Sequence, residues 1–122
     1  AAVRRAGEAG PVREAVLRRF PDPASARFPI LGDCNDGKDS KVLATLLRRG
    51  RIIVSELLPA ADSRGESWTY FYHNEDSYSR MDHVLVSPGL RKAVAGGTAR
   101  IEDRPETRIA SDHRPVMVTL KL

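Results

Sequence analysis

The sequence contains a single cysteine, Cys34, and no apolar run close to the about 20 residues that a transmembrane helix needs. One cysteine cannot form an intramolecular disulfide, so the disulfide frameworks of small secreted proteins are excluded and stability must come from packing. The cysteine count weakly favours a reducing compartment such as the cytoplasm. A signal peptide removed before Ala1 would leave no trace, so localisation stays open.

The sequence also lacks long blocks of like charge, because its 20 basic and 16 acidic residues are interspersed along the chain. The net charge of +4 is compatible with an anionic partner. The local clusters of arginine are typical of the solvated face of a helix. A nucleic-acid-binding domain without chemistry therefore has only this modest charge in its favour.

At 122 residues with 41% hydrophobic content, the chain is predicted to form a single domain with its own core. Helical periodicity and turn residues predict helices over 11–20 and from residue 39 or 40 to Gly50. Alternation predicts strands over 68–73 and 116–122. A short apolar run predicts a strand over 28–31, and further strands are predicted over 52–54, 79–86 and 98–101, with a loop over 59–66 and a hairpin joining 68–73 to 79–86. Helices interleaved with strands predict a mixed α/β or α+β layered domain.

The stretch 28–36 ends an apolar run at Gly32 and then turns densely polar, with Asp33, Asn35 and Asp36. One interpretation is a buried strand followed by an ordinary turn. The other is a cation-binding or water-activating site, since such sites need oxygen ligands held at the end of a rigid element.

Asp82 interrupts the otherwise apolar later part of the strand predicted over 79–86. A buried carboxylate without a partner is costly, so Asp82 should face solvent or meet a cation or a histidine. Arg80 lies on the same face by period-two spacing and is one candidate partner. A histidine is the other, and the local pattern does not choose between them.

A third polar cluster, Ser111-Asp112-His113-Arg114-Pro115, stands directly before the last predicted strand. An Asp-His pair on a loop is commonly a capping arrangement. An imidazole oriented by a carboxylate can also supply a proton or positive charge near neutral pH, and a neighbouring aspartate can bind metal.

Taken together and in order, the three clusters resemble the carboxy-terminal motifs of the endonuclease/exonuclease/phosphatase superfamily, which has the deoxyribonuclease I-like fold. The matching segments are Gly-Asp-Cys-Asn at 32–35, Ser-Arg-Met-Asp-His-Val-Leu-Val-Ser at 79–87 and Ser-Asp-His-Arg-Pro-Val at 111–116. Cys34 departs from the aromatic or aliphatic residue that is usual between the Asp and Asn of the first motif. The fold that the resemblance implies here is one mixed, largely antiparallel sheet with helices on its outer face.

The resemblance implies a metal-dependent phosphoesterase and gives four residues catalytic roles. Asp33 would orient or deprotonate the attacking water, and Asn35 would hold the phosphate and steady Asp33. His113, held by Asp82, would stabilise the charge that grows on the phosphoryl oxygens. In-line attack at phosphorus needs such an aligned nucleophile, a cation and a positioned donor.

The resemblance also implies Mg²⁺ or Mn²⁺ as cofactor, with Asp112 and Asp33 as ligands, and substrate contacts from Asn35, Arg80 and Trp68. The substrate is a phosphate ester, and nucleic acid, phospholipid head groups and small molecules all remain open. Substrate specificity resides in loops, which the motifs do not define.

Members of this superfamily are about twice as long, and their amino-terminal half brings a metal-binding glutamate for which nothing before Gly32 can substitute. The chain is therefore expected to be the carboxy-terminal half of such a domain. Its inner sheet face would be uncovered in an isolated monomer, which predicts self-association or pairing with an amino-terminal half. The alternative function is a non-catalytic interaction module, or truncated pseudo-enzyme, that retains the fold.

Overall fold

The computed structural model describes residues 6–33 and 41–122, with Ala6, Gly7, Asp33 and His73 described by their backbone alone. Within these ranges the α-helices are α1 (Ala6–Arg19), α2 (Lys41–Leu47), α3 (Pro88–Arg91) and α4 (Glu106–Ala110). The strands are β1 (Pro29–Asp33), β2 (Arg48–Arg49), β3 (Ile52–Ile53), β4 (Glu56–Leu57), β5 (Ala60–Ala61), β6 (Tyr70–Tyr72), β7 (Ser77–Ser79), β8 (Asp82–Val86), β9 (Ala99–Ile101) and β10 (Val116–Met117). The predicted mixed α/β class is confirmed.

Strand β8 is central because it pairs antiparallel with β1 on one edge and with β4 on the other. Its register with β1 sets Ile30 opposite Leu85 and Asp33 opposite Asp82. The two aspartate positions therefore lie side by side where β1 ends and β8 begins.

Two apolar clusters cover the two faces of β8, as the period-two alternation of a strand requires. Leu85 and Ile30 pack against α1 and α2, in the cluster that also holds the fully buried Leu43 and Leu46. Val84 and Val86 belong to the second cluster, on the opposite face. Asp82 shares the Val84 face by spacing, so it lies on the side of the sheet away from α1 and α2.

The prediction that 68–73 forms a hairpin with 79–86 is wrong about the second strand. Tyr70–Tyr72 pairs with the short β7, through Phe71 opposite Tyr78, and β8 then leaves for the sheet of β1 and β4. The physical reason is that the apolar residues of β8 are buried between two clusters, a position that an exposed hairpin strand cannot offer.

The remaining strands correct the expectation of one sheet. Strands β10, β9 and β5 form a second three-stranded sheet in which β5 runs parallel to β9, and β2–β3 and β6–β7 are two-stranded. Both edges of β8 are already paired with β1 and β4, so β9 and β10 pair with each other instead. The loop predicted over 59–66 thus contains β5, and the strand predicted over 116–122 is reduced to β10.

The helices differ from prediction in their bounds, and α1 also in its buried face: Ala9 and Leu17 are buried, whereas Ala15, which recurs at helical spacing with Val12 and Val16, is exposed. Helix α1 begins at Ala6 and so contains Pro11, which was predicted in its first turn. Helix α2 buries Val42, Leu43 and Leu46 as predicted, and its predicted capping residues lie outside the described part of the chain. It ends at Leu47, because Gly50 with φ +59° instead forms the turn between β2 and β3. No helix in the described ranges combines the length and apolar character needed to cross a membrane.

Ser87, the last residue of the second motif, ties the end of β8 to the segment before β1. Its buried hydroxyl donates to the Ala26 carbonyl at 2.7 Å and accepts the Phe28 N–H at 3.0 Å. At Gly89 the backbone approaches the Ala26 carbonyl so closely that any Cβ atom would clash with its oxygen, so only glycine fits here. These contacts hold β1 in place against β8.

Candidate active site

Asp82 and His113 form the hydrogen-bonded pair on which the candidate site is built. The Nδ1 of His113 lies 2.7 Å from Oδ2 of Asp82, and the two side chains are 29% and 22% exposed. A carboxylate at this distance accepts the Nδ1–H and so fixes the orientation of the imidazole ring. Of the partners left open for Asp82, the structure shows the histidine.

His113 is held by its own loop and by the hairpin of β6 and β7. Its N–H donates to Ser111 Oγ at 3.0 Å, and its backbone forms an isolated antiparallel bridge with Tyr70. The Tyr70 ring lies 4.7 Å from the imidazole, centroid to centroid, in a tilted arrangement. The imidazole borders two grooves, of about 430 Å³ on the β8 side and about 360 Å³ on the Tyr70 side.

Arg114, the residue after His113, is anchored in a buried network. Its guanidinium donates to Asp62 Oδ2 at 2.9 Å and to the Trp68 carbonyl at 2.6 and 3.2 Å. The same group lies 3.5 Å from the centroid of the Trp68 ring, a cation–π arrangement. The side chains of Arg114 and Asp62 are only 7% and 3% exposed, so the ion pair is shielded from solvent.

The Asp62 carboxylate should make stability depend on acid pH. Burial raises the pKa of Asp62, but hydrogen bonds from the Glu66 N–H, the Arg114 guanidinium and the Arg64 N–H outweigh it, and the pKa is lowered from 3.8. A lowered folded-state pKa stabilises the protein above the unfolded-state pKa and loses that contribution as pH falls through the folded value.

We therefore expect the free energy of unfolding of the wild type to fall more steeply below about pH 4 than that of Asp62→Asn, which mimics the protonated acid. Urea denaturation between about pH 6 and pH 2.5 measures both curves. A stability difference that stays constant across this range would contradict the role given to Asp62.

Arg80 and Trp68, predicted to contact substrate, are both engaged inside the protein. The Arg80 guanidinium donates to the Leu58 carbonyl at 2.8 Å, and burial lowers its pKa. Its Nε is buried and has no hydrogen-bond partner among the residues that the structure describes. Trp68 carries Arg114 on its ring, meets Tyr78 edge-on at 4.8 Å and donates from Nε1 to Glu66 at 2.9 Å. Their contact with substrate stays a prediction.

A strand over 68–73 with a period of two would set Trp68 on the face of Tyr70 and Tyr72, and this prediction is wrong. The Trp68 ring contacts Tyr78, which is also stacked on Phe71 at 4.6 Å, whereas Tyr70 and Tyr72 contact each other. Strand β6 begins only at Tyr70, so the period of two does not extend back to Trp68.

The predicted metal ligands are only partly visible. Asp112 is exposed and borders a groove of about 410 Å³ together with Trp68 and Phe71, and its carbonyl accepts the Phe71 N–H at 3.3 Å. The Asp33 side chain and all of Asn35 lie outside the described residues. Within the described ranges, no three His, Cys, Asp or Glu side chains are grouped so that they could hold a metal ion. The described donor set alone therefore does not fit a metal.

Sequence reasoning did not find Thr69 and Asp62, which hold the loop of His113 in place. Asp62 stands within a segment predicted as a loop, 52 residues from its partner Arg114. Thr69 lies in the strand predicted over 68–73, where a single threonine among aromatic residues was the only available signal. Its partners are not local in sequence.

Comparison with known proteins agrees with the fold. The profile of the Endonuclease/Exonuclease/phosphatase family matches residues 7–113. An endonuclease/exonuclease/phosphatase of known structure from Bacteroides vulgatus superposes with a TM-score of 0.64 at 16% identity, over 95% of this chain and 44% of that one. At this identity the likeness establishes the shared fold, and the chain spans less than half the length of that structure. No curated protein sequence matches the chain. The chain belongs to the Endonuclease/Exonuclease/phosphatase family, whose fold is of the nuclease and phosphatase hydrolase type.

Proposed function

We propose that the protein is a metal-dependent phosphoesterase and that residues 1–122 carry part of its active site. The observation that supports this most is the 2.7 Å contact between His113 and Asp82 in a chain of this family. Both residues are partly exposed, and His113 borders two grooves in which an ester could lie.

In the proposed reaction, the oxygen of a water molecule bonds to phosphorus as the P–O bond to the leaving group breaks in line with it, and the leaving alkoxide takes a proton from solvent. Asp33 takes the proton of that water, and Asn35 holds a phosphate oxygen. His113 donates a hydrogen bond to another phosphoryl oxygen as charge grows there, and Asp82 keeps the ring in position to do so. The backbone register, which sets Asp33 opposite Asp82, supports a common location for the two acids.

Mg²⁺ or Mn²⁺ is the proposed cofactor, with Asp112 and Asp33 as two of its ligands. When bound, the ion would neutralise charge on the phosphate oxygens. Further ligands would have to come from residues outside those described, which is consistent with a chain that spans under half of a related structure.

The proposed partner is an amino-terminal half of the same type of domain, or a second copy of this chain. The face of β1 and β8 that carries Asp82 also carries Leu31, which is 49% exposed. Leu31 and the half-buried Val116 border the groove beside Asp82 and His113, whereas Val84 in the same groove is already covered by the second cluster. A partner that covers Leu31 and Val116 would enclose the site at the same time.

The test is hydrolysis of bis(4-nitrophenyl) phosphate, an activated phosphodiester, with Mg²⁺, with Mn²⁺ and with EDTA. We expect slow hydrolysis by residues 1–122 that needs one of the two ions and that decreases in Asp82→Asn. The matched control is Asp103→Asn, which removes an acid that bonds Ser63 instead of His113. Hydrolysis that EDTA leaves unchanged would contradict metal dependence. Equal rates in Asp82→Asn and the wild type would favour the non-catalytic interaction module.

A further inference from the structure

Thr69, the residue directly before β6, contacts both chain segments that carry the Asp82–His113 pair. Its side chain is fully buried, and its Oγ1 accepts the N–H groups of Met81 at 3.0 Å and of Asp82 at 3.1 Å. Its carbonyl accepts the N–H of Arg114 at 2.6 Å. One residue thus holds the backbone of Asp82 by its hydroxyl and the backbone next to His113 by its main chain.

The two N–H groups that meet at the Thr69 hydroxyl belong to consecutive residues. In a regular strand consecutive N–H groups point to opposite edges, so their convergence on one oxygen requires a bend where β8 begins. The hydroxyl satisfies both donors at this bend. It therefore determines where the Cα of Asp82 lies, and with it the position from which the carboxylate reaches His113.

The other contacts of Thr69 fix its own position. Its N–H donates to the Ser79 carbonyl at 2.9 Å, at the end of β7, and the next residue, Tyr70, bridges to His113. Arg114 is in turn fixed by Asp62 and Trp68. Removing the hydroxyl would leave the N–H groups of Met81 and Asp82 without this acceptor, while the main-chain contacts of Thr69 and all charges remain.

We propose that Thr69 is a positioning residue for the phosphoesterase reaction, acting through Asp82 on the orientation of His113. This inference rests on the proposed function. The hydroxyl aligns the carboxylate with Nδ1, and the aligned imidazole presents its other nitrogen to the phosphoryl oxygen. A displacement of about 1 Å at such a group can cost about 100-fold in rate, so a hydrogen bond to the backbone can matter for turnover.

The test compares Thr69→Val, which keeps the shape and removes the hydroxyl, with Thr69→Ser, which keeps the hydroxyl. The first readout does not require enzymatic activity. Proton NMR at one fixed pH measures the low-field resonance of the His113 ring N–H and the rate at which this proton exchanges with water. Asp82→Asn gives the reference for a weakened bond, and His113→Gln assigns the signal. We expect Thr69→Val to move the resonance upfield toward Asp82→Asn and to speed exchange about tenfold, and Thr69→Ser to resemble the wild type.

The second readout is turnover of bis(4-nitrophenyl) phosphate with Mg²⁺. We expect Thr69→Val to lower kcat about tenfold with KM little changed, and Thr69→Ser to restore most of it. The control for a general loss of stability is Ser55→Ala, which removes a buried hydroxyl bonded to the Leu46 carbonyl at 2.7 Å. It should lower the melting temperature and leave the His113 resonance unchanged.

A wild-type His113 resonance in folded Thr69→Val would overturn the proposal, as would a Thr69→Ser spectrum as altered as that of Thr69→Val. If Thr69→Val does not fold, hydrogen exchange of the wild type decides: slow exchange at the Met81 and Asp82 amides supports the bonds to Thr69, and fast exchange contradicts them. If the His113 resonance changes in Thr69→Val but the wild type does not hydrolyse the phosphodiester, Thr69 still positions the Asp82–His113 pair and the proposed function is wrong.

Discussion

Replacing His113 by glutamine is expected to lower kcat for a phosphodiester about 10³-fold, with KM changed much less. The expected size follows from the about 10²–10³-fold effect of removing one donor to a developing oxyanion and the about 10²–10⁴-fold effect of a proton-transferring side chain. The imidazole is 29% exposed and bonded to one carboxylate, so the fold should tolerate its loss. Steady-state kinetics together with the melting temperature separates the loss of chemistry from the loss of structure.

Asp82→Asn should have a smaller effect on the same rate, about 10²-fold, because the imidazole remains but its orientation is no longer fixed by a carboxylate. The two residues act as a unit, so the double variant should be no slower than His113→Gln alone. Multiplicative losses in the double variant would show that the residues act independently, against the geometry of a pair 2.7 Å apart.

Replacing Arg114 by methionine is expected to reduce the free energy of unfolding by about 3–5 kcal/mol. Methionine preserves much of the packing volume but leaves the Asp62 carboxylate buried without its partner. It also removes the side-chain donors to the Trp68 carbonyl and the cation above the Trp68 ring. Urea denaturation near neutral pH measures the change.

Arg104→Met is the matched control for Arg114→Met. Arg104 also pairs with a carboxylate, at 3.0 Å from Glu102, but its side chain is 74% exposed. Exposed pairs of this kind contribute about 0–1 kcal/mol, so the control should be close to the wild type. Since an unpaired buried charge causes most of the expected loss, Asp62→Leu combined with Arg114→Met should recover part of it. Similar losses in Arg104→Met and Arg114→Met would contradict the importance given to burial.

The contact between Asp82 and His113 could be predicted from the order of the three motifs, although the pattern around Asp82 alone did not identify its partner. Around Asp82 alone, Arg80 and a histidine were equally good partners by spacing and charge. The order of the three motifs pointed to His113, 31 residues away, and the structure places it there. The core residues could also be predicted from the sequence, because Val42, Leu43 and Leu46 follow the helical period and Val84 to Val86 form an apolar run.

The parts that the sequence did not predict depend on contacts distant along the chain. Strands of two or three residues, such as β5 and β7, are too short to show an alternating pattern in the sequence. Whether such segments form strands depends on the strands with which they pair. Helix α4 has no buried residue, so no apolar stripe marks it. Two contacts, that of Arg114 with Asp62 and that of Thr69 with Asp82, join residues far apart in the sequence. In the sequence these residues look like ordinary polar residues of a loop or strand end, so the contacts could not be predicted.

Under the proposed function, the Asp82–His113 pair belongs to a phosphoesterase site that residues 1–122 do not complete by themselves. The most direct test is the Mg²⁺-dependent kcat for bis(4-nitrophenyl) phosphate, measured for residues 1–122 alone and for the full-length protein that its gene encodes. We predict a kcat for residues 1–122 far below the ordinary enzymatic range of about 1–10³ s⁻¹, and at least a 100-fold higher kcat for the full-length protein, which His113→Gln abolishes. A kcat within the ordinary range for residues 1–122 alone, or a full-length protein unaffected by His113→Gln, would contradict the proposed function.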